Sequence, residues 1–214
     1  MKKIFRAVAV AASLALAHSA AAADWAFDVK AAFALPLGNV WNTEPWTREP
    51  APFAMSTAWS GAVPLQFDAR YHVSPSISLG AYFGWGPAFV KDSNYFAGPF
   101  NSGYDMRVGI ELMYEFLPSE TLNPWFLVGT GWEWTNFSGP GQSITFNGWE
   151  YLVLQTGLDF KMASAFGIGP YVGFLAGTYS NMNMGGQSGG GQIPTDTRAF
   201  HGWFQVGVKA TLNL

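Results

Sequence analysis

The chain has no cysteine among its 214 residues. That excludes a thiolate nucleophile, a cysteine-ligated metal and a cysteine-linked lipid, and leaves folding independent of disulfides. Charge is also scarce. Asp, Glu, Lys and Arg make up 12% of the residues, about half the roughly 25% usual for a soluble domain. Yet past the N-terminus no run approaches the ~18 consecutive apolar residues of a membrane-spanning helix. A chain this poor in charge that lacks such a run must disperse its apolar residues. With 17% aromatics and ten Trp, they are dispersed at every second position.

The N-terminus reads as a secretion signal: Lys2, Lys3 and Arg6, an apolar stretch from Ala7 to Ala17, and Ala20 to Ala23 before Asp24. That order of charge, short apolar run and small residues predicts cleavage after Ala23, leaving 24–214 as one β-barrel domain beyond an inner membrane. Three of the eleven Lys+Arg and none of the fourteen Asp+Glu lie in the signal, so the mature chain carries eight cations against fourteen anions, a net −6. This is the wrong sign for a nucleic-acid partner.

Eight segments alternate with a period of two, each near the ~9 to 11 residues that a tilted strand needs to cross a bilayer. One set of faces runs Phe27, Val29, Phe33 in the first segment, Leu65 to Val73 in the second, Ile77 to Trp85 in the third and Tyr104 to Phe116 in the fourth. It continues through Phe126 to Trp134, Leu152 to Phe160, Ile168 to Ala176 and Phe204 to Leu214. Long connections are expected at 36–61, 88–102, 136–147 and 180–198, and short ones near 74–76, 118–123 and 162–165. Strict alternation of long and short predicts an all-β, eight-stranded, antiparallel up-and-down transmembrane barrel, with the long loops outside the cell and both termini in the periplasm.

Alternation alone does not say which face is dry, but volume does. An eight-stranded barrel encloses little more than its own side chains, and an apolar set of some forty side chains rich in Phe, Trp, Leu and Val would not fit there. The apolar face is therefore expected to meet lipid. Trp85, Tyr104, Trp132 and Trp134 on the loop side, and Tyr71, Tyr114 and Phe160 on the turn side, fall where two interfacial aromatic girdles belong.

The opposite face carries Asp28, Lys30, Asp68, Arg70, Asp105, Arg107, Glu111, Glu115, Glu133, Asp159, Lys161 and Lys209. Charges in so narrow a space must be paired or hydrated. An ion-pair network closing the lumen is the expectation, with a cation-leaning path as the competing one. His72-Val73-Ser74 resembles the His-x-Ser pair of an outer-membrane lipid A deacylase family, but it maps to a short turn and faces the lumen, and catalysis is not expected. His201 is expected among polar residues on the loop side. No metal or cofactor is implied. In the first long loop, Trp41, Trp46 and Trp59 either form an adhesive platform or pack together over the barrel mouth.

The segments "NPWFLVGTGWEWTNF" (123–137) and "GPYVGFLAG" (169–177), the N-terminal signal and the final strand "FQVGVKATLNL" resemble the small eight-stranded outer-membrane barrels of the OmpA-like and OmpW-like kind. The final strand is similar to the assembly signal read by the outer-membrane insertion machinery, though it ends on Leu214 where an aromatic is usual. The resemblance implies a monomer in the outer membrane, with lipopolysaccharide outside, and a structural or surface-interaction role. As alternatives it implies a narrow channel or transporter for small, largely apolar molecules, or lipid A modification.

Overall fold

A computed structural model of the chain describes residues 25–45, 47–91, 100–185 and 189–214. The signal segment and Trp46 lie outside the described residues. In chain order the elements are β1 (Trp25–Trp41), β2 (Phe53–Ala54), α1 (Met55–Ala58), β3 (Trp59–Ala62) and β4 (Leu65–Ser74). They continue with β5 (Ile77–Val90), β6 (Ser102–Glu115), β7 (Leu122–Gly139), β8 (Gln142–Ala163), β9 (Phe166–Gly185), β10 (Gly189–Gln192) and β11 (His201–Asn213).

Eight staves close a ring in which every neighbour is antiparallel. β3 and β4 form one stave between β1 and β5, β5 through β9 follow in sequence, and β11 pairs β9 on one side and β1 on the other. The break between β3 and β4 falls at Val63-Pro64, where proline has no amide to donate. The ladder is bridged there by Ala32 N donating to Pro64 O at 3.2 Å and Val63 N to Pro87 O at 3.0 Å. Closure leaves no open edge in the wall, a condition for a sheet immersed in hydrocarbon. Both ends of the described chain meet beside the short turns, where Leu214 N donates to Trp25 O at 2.8 Å.

The direction of the side chains settles the inside-outside question. Val29, Phe67, Phe83, Val108, Ile110, Phe126, Phe174 and Val206 are exposed on the outer wall, and Asp28, Lys30, Asp68, Arg70, Asp105, Arg107, Glu111 and Glu133 are buried within it. A soluble protein would have these assignments reversed. The transmembrane barrel is thus an apolar-out, polar-in cylinder. Its outer wall carries Trp25 and Tyr71 in edge contact at 5.4 Å, and Tyr114 and Phe116 at 5.0 Å, on the short-turn side. Trp132 packs on Trp134 at 6.4 Å and on Trp149 at 6.0 Å on the other side.

The connections differ from expectation. Segment 136–147 is not a loop, because β7 and β8 run through it to a tight turn at Pro140-Gly141, with Gly141 at φ +74°. β9 likewise continues to Gly185, and β10 returns along it. Above the girdle the surroundings exchange roles: water lies outside and packed apolar side chains lie inside. The alternation therefore reverses sense, with Phe137, Ile144, Phe146 and Met182 buried inward and Asn, Ser and Thr outward. Polar outward residues in a glycine-containing stretch resemble a loop, but here they belong to strand.

Candidate functional site

The lumen is filled in layers, each built from inward positions of several staves. Nearest the short turns, Arg70 on β4 forks onto Asp28 of β1 through Nε and Nη2, both at 3.0 Å, while its Nη1 donates to Ser78 Oγ at 2.6 Å. Thr211 Oγ1 also donates to Asp28, at 2.7 Å. Lys209 Nζ lies 2.7 Å from Asp159 Oδ2 and 4.2 Å above the Trp125 ring, and Trp125 Nε1 donates to Asp159 Oδ1 at 3.1 Å. The Trp125 indole is a floor between this layer and the next, since Lys30 Nζ approaches the same ring at 5.7 Å.

The middle layer is a closed loop of four side chains. Lys30 meets Asp68 Oδ2 at 2.5 Å and donates to Gln155 Oε1 at 2.7 Å; Gln155 donates to Gln66 at 3.3 Å, and Gln66 to Asp68 at 2.8 Å. Beside it Glu111 is buried in a row between Gly80 and Gly129, and neither of its carboxylate oxygens has a hydrogen-bond partner among the described residues.

The upper layer turns on Arg107, whose guanidinium faces three carboxylates: Asp105 at 2.7 Å, Glu133 at 3.6 Å and Glu150 at 3.4 Å. Tyr82 donates its hydroxyl to Glu150 at 2.7 Å. That ring needs the glycines around it, because a Cβ on either Gly109 or Gly131 would collide with Tyr82 Oη. Glu133 is also held by Trp203 Nε1 at 2.9 Å and His201 Nε2 at 2.7 Å. His201 stacks on Tyr179 at 3.7 Å, and Thr135 joins the Tyr179 hydroxyl at 2.8 Å and Asp105 at 3.0 Å.

Above these ions lies an aromatic cap. Trp59 stacks on Phe137 at 4.2 Å and meets Trp203 at 6.3 Å, while Trp41 packs on Phe53 at 5.2 Å and on Phe146 at 6.0 Å. Met55, on the single turn of α1, is fully buried among them. An outward-facing platform at Trp41 and Trp59 does not exist: they are 1% and 0% exposed. Their flat apolar rings close the mouth over the ion layers instead, and they are withdrawn from water for the usual hydrophobic reason.

All twelve charged residues expected in the lumen point inward, but not into one network. Asp28, Arg70, Asp159 and Lys209 form the lower layer, Lys30 and Asp68 the middle one with Glu111 beside it, and Asp105, Arg107 and Glu133 the upper one. Glu115 and Lys161 lie at the short-turn rim instead. Glu115 accepts from Asn123 at 2.7 Å, with His72 at 3.7 Å, and Lys161 donates to Pro118 O. His201 is on the loop side but is an inward, buried member of the upper layer. Glu150 escapes the sequence pattern. One extra residue in β8, between Glu150 and Val153 opposite Gly129 to Gly131, shifts the phase of the strand, so the parity that places Gln155 inward puts Glu150 outward. Only the bulge restores it.

No family model matches the chain, and no curated protein sequence matches it. Solved structures do. The outer-membrane protein AlkL, determined in lipid bilayers, is 16% identical with a TM-score of 0.55, over 92% of this chain and 95% of that one. A major outer membrane protein from Thermus thermophilus is 11% identical with a TM-score of 0.50, over 88% and 99%. At these identities the likeness concerns fold alone, and it agrees with the apolar outer wall and the eight-stave closure. The chain has the fold of the small eight-stranded outer-membrane β-barrels.

Proposed function

We propose that this protein is a monomeric, non-conducting outer-membrane barrel whose work is done by its surface, with the lumen closed by ion layers and an aromatic cap. The observation that carries this reading is the succession of Arg70–Asp28, Lys30–Asp68 and Arg107 with its three carboxylates beneath buried Trp41, Trp59 and Phe146. An ion entering such a lumen must strip its hydration and break paired charges, each step costing several kcal/mol. Planar-bilayer recordings of the purified protein are expected to show no steady single-channel current. Regular unitary steps would overturn the plug.

Passage of small apolar molecules through the wall has one feature in its favour, an outer recess of about 550 Å³ beside the β8 bulge, lined by Leu79, Ile110, Val128, Tyr151 and Leu152. Its inner side, however, is Glu111 and the ladder rows that join it to Gly80 and Gly129, a poor route for an apolar solute. The reading includes no catalysis. Ser74 Oγ accepts the Ile77 amide at 3.1 Å and His72 Nδ1 lies 3.7 Å from Glu115, and among the described residues no hydrogen bond joins His72 to Ser74 as a base must join its nucleophile. Secretion by the N-terminal signal belongs to the same proposal, and N-terminal sequencing of the membrane-inserted protein is expected to begin at Asp24. A chain beginning at Met1 would remove the signal from the reading.

A further inference from the structure

β7, β8 and β9 extend well beyond the girdle. Gln142 is seven residues past Trp149 along β8, about 23 Å of strand at ~3.3 Å per residue. The inward face of this extension packs on the cap, while no element among the described residues packs over its outward face, where Asn136 is buried between its row neighbours, Thr145, Asn147 and Asn181 are half-buried and Asn183 is exposed. The register sets that face in rows: Trp134–Asn147–Asn181, and above it Tyr104–Asn136–Thr145–Asn183. Below them stand Trp132 and exposed Trp149 of the girdle. None of the outward residues in these rows is charged.

The amides are mutually braced. Asn136 Nδ2 donates to Thr145 Oγ1 at 2.8 Å, Ser138 Oγ donates to Asn136 Oδ1 at 2.6 Å, and Asn181 Nδ2 donates to Asn147 Oδ1 at 3.2 Å. Asn183 stands exposed at the end of its row. Each primary amide offers two donors and an acceptor; Asn136, itself buried, spends its own on these partners and on Ile144 O at 3.3 Å, while Asn147 and Asn181 keep part of theirs, among the described residues, fixed in place at little further entropy cost. Side chains of Asn, Ser and Thr beside Trp and Tyr combine adaptable hydrogen bonding with rigid amphipathic area.

We infer that this sheet face binds the neutral saccharide chains of glycolipids standing beside the barrel in the outer leaflet. The inference rests on the surface-interaction reading and names its ligand class. A pyranose presents an apolar face that an indole covers and a rim of hydroxyls, each both donor and acceptor, that amides and hydroxyls match. Phosphate or sulfate groups would call for Arg or Lys, and the rows hold neither. The face looks sideways and continues the lipid-facing wall, so what meets it is whatever projects from the neighbouring lipids, and there that is sugar.

The test uses the whole barrel in phosphatidylcholine nanodiscs, with O-polysaccharide released from lipopolysaccharide by mild acid as the neutral probe and heparin as the anionic one. Saturation-transfer NMR is expected to detect the O-polysaccharide, with an affinity unchanged by added salt. The Thr145→Ala, Asn147→Ala, Asn183→Ala variant is expected to bind at least about tenfold more weakly, the loss of a few hydrogen bonds. Asn183→Ala alone, at an exposed side chain, should show a smaller loss with an unaltered fold, read from heat-modifiable gel mobility. Absence of saccharide binding, equal binding by the variants, or a salt-sensitive preference for heparin would overturn the inference. Adhesion of expressing cells is scored in parallel. Adhesion that persists without saccharide binding removes this ligand and leaves the surface role standing, whereas loss of both removes both.

Discussion

Replacing Arg107 with alanine is expected to destabilise the barrel by about 3–5 kcal/mol, the range for breaking one side of a buried ionic cluster. The magnitude follows from what remains. Asp105, Glu133 and Glu150 lie 2.7 to 3.6 Å from the guanidinium in a lumen where all four side chains are at most 5% exposed. Without it three carboxylates face one another in a low dielectric with only Tyr82, Thr135, Trp203 and His201 as partners among the described residues. Arg107→Lys is expected to recover only part of the loss, because an ammonium cannot spread donors toward three acids as a guanidinium does. Arg107→Ala with Glu150→Gln should also recover part, since one surplus charge is gone. The control is Arg48, whose 2.6 Å pair with Asp196 is solvent-exposed, with side chains 52% and 72% accessible; Arg48→Ala should shift stability by under about 1 kcal/mol. The measurement is urea unfolding in lipid vesicles followed by tryptophan fluorescence. Equal effects at Arg107 and Arg48 would mean that the upper layer is wet and that the lumen is not closed there.

How much of this arrangement could be read from the sequence depends on which solvent each residue meets. Between the girdles the two solvents are fixed, hydrocarbon outside and a crowded polar lumen inside. The parity of Tyr104 to Phe116 therefore reports direction, and Asp105, Arg107 and Glu111 on the other parity had to be inside. Volume then excluded the soluble alternative. Parity fails where the backbone slips or the solvents change. At Glu150 a bulge moves the phase by one residue with no mark in the sequence apart from the consecutive apolar Tyr151-Leu152-Val153-Leu154. Beyond the girdle, Phe137, Ile144, Phe146 and Met182 turn inward with polar neighbours outward, a pattern that a search for apolar-out strands discards as loop. Trp41 and Trp59 belong to the same class. Their composition allowed either a platform or a cap, and only their contacts with Phe146, Phe137 and Trp203 decide for the cap. The pairing within the lumen was beyond sequence altogether. Which acid meets which base is set by strand tilt and stagger, and the neutral side chains that complete each layer, Gln66, Gln155, Trp125 and Tyr82, carry no charge to announce themselves.

The adjacent residues Ile110 and Glu111 give the most direct test of the two solvents, because they point to opposite sides of one strand and invert the usual rules of substitution. Ile110 is 65% exposed on the outer wall between Ala81 and Thr130. On a soluble protein Ile110→Arg would be nearly neutral, but here it sets a guanidinium in hydrocarbon, and a loss of about 2–4 kcal/mol is expected if the position is near the bilayer midplane. Glu111 is the opposite case. It is buried, its oxygens are unpartnered among the described residues, and the glycines on either side leave it no neighbouring side chain in its row. Glu111→Gln keeps the volume and removes a buried charge that accepts no hydrogen bond among the described residues and draws only on the more distant Lys30 and Arg70, so the change should be neutral or stabilising. The pair is read by folded fraction across a urea series in vesicles of fixed acyl length, and repeated in detergent, where the penalty on Ile110→Arg should shrink as the charged head finds water around the micelle. A damaging Glu111→Gln would mean that a cation in the lumen holds the carboxylate, whereas a tolerated Ile110→Arg would require water outside the wall. That outcome would return the barrel to the soluble class despite the girdles, since the placement of charge relative to hydrocarbon is the physical fact from which the closed lumen, the cap and the saccharide-facing rows all follow.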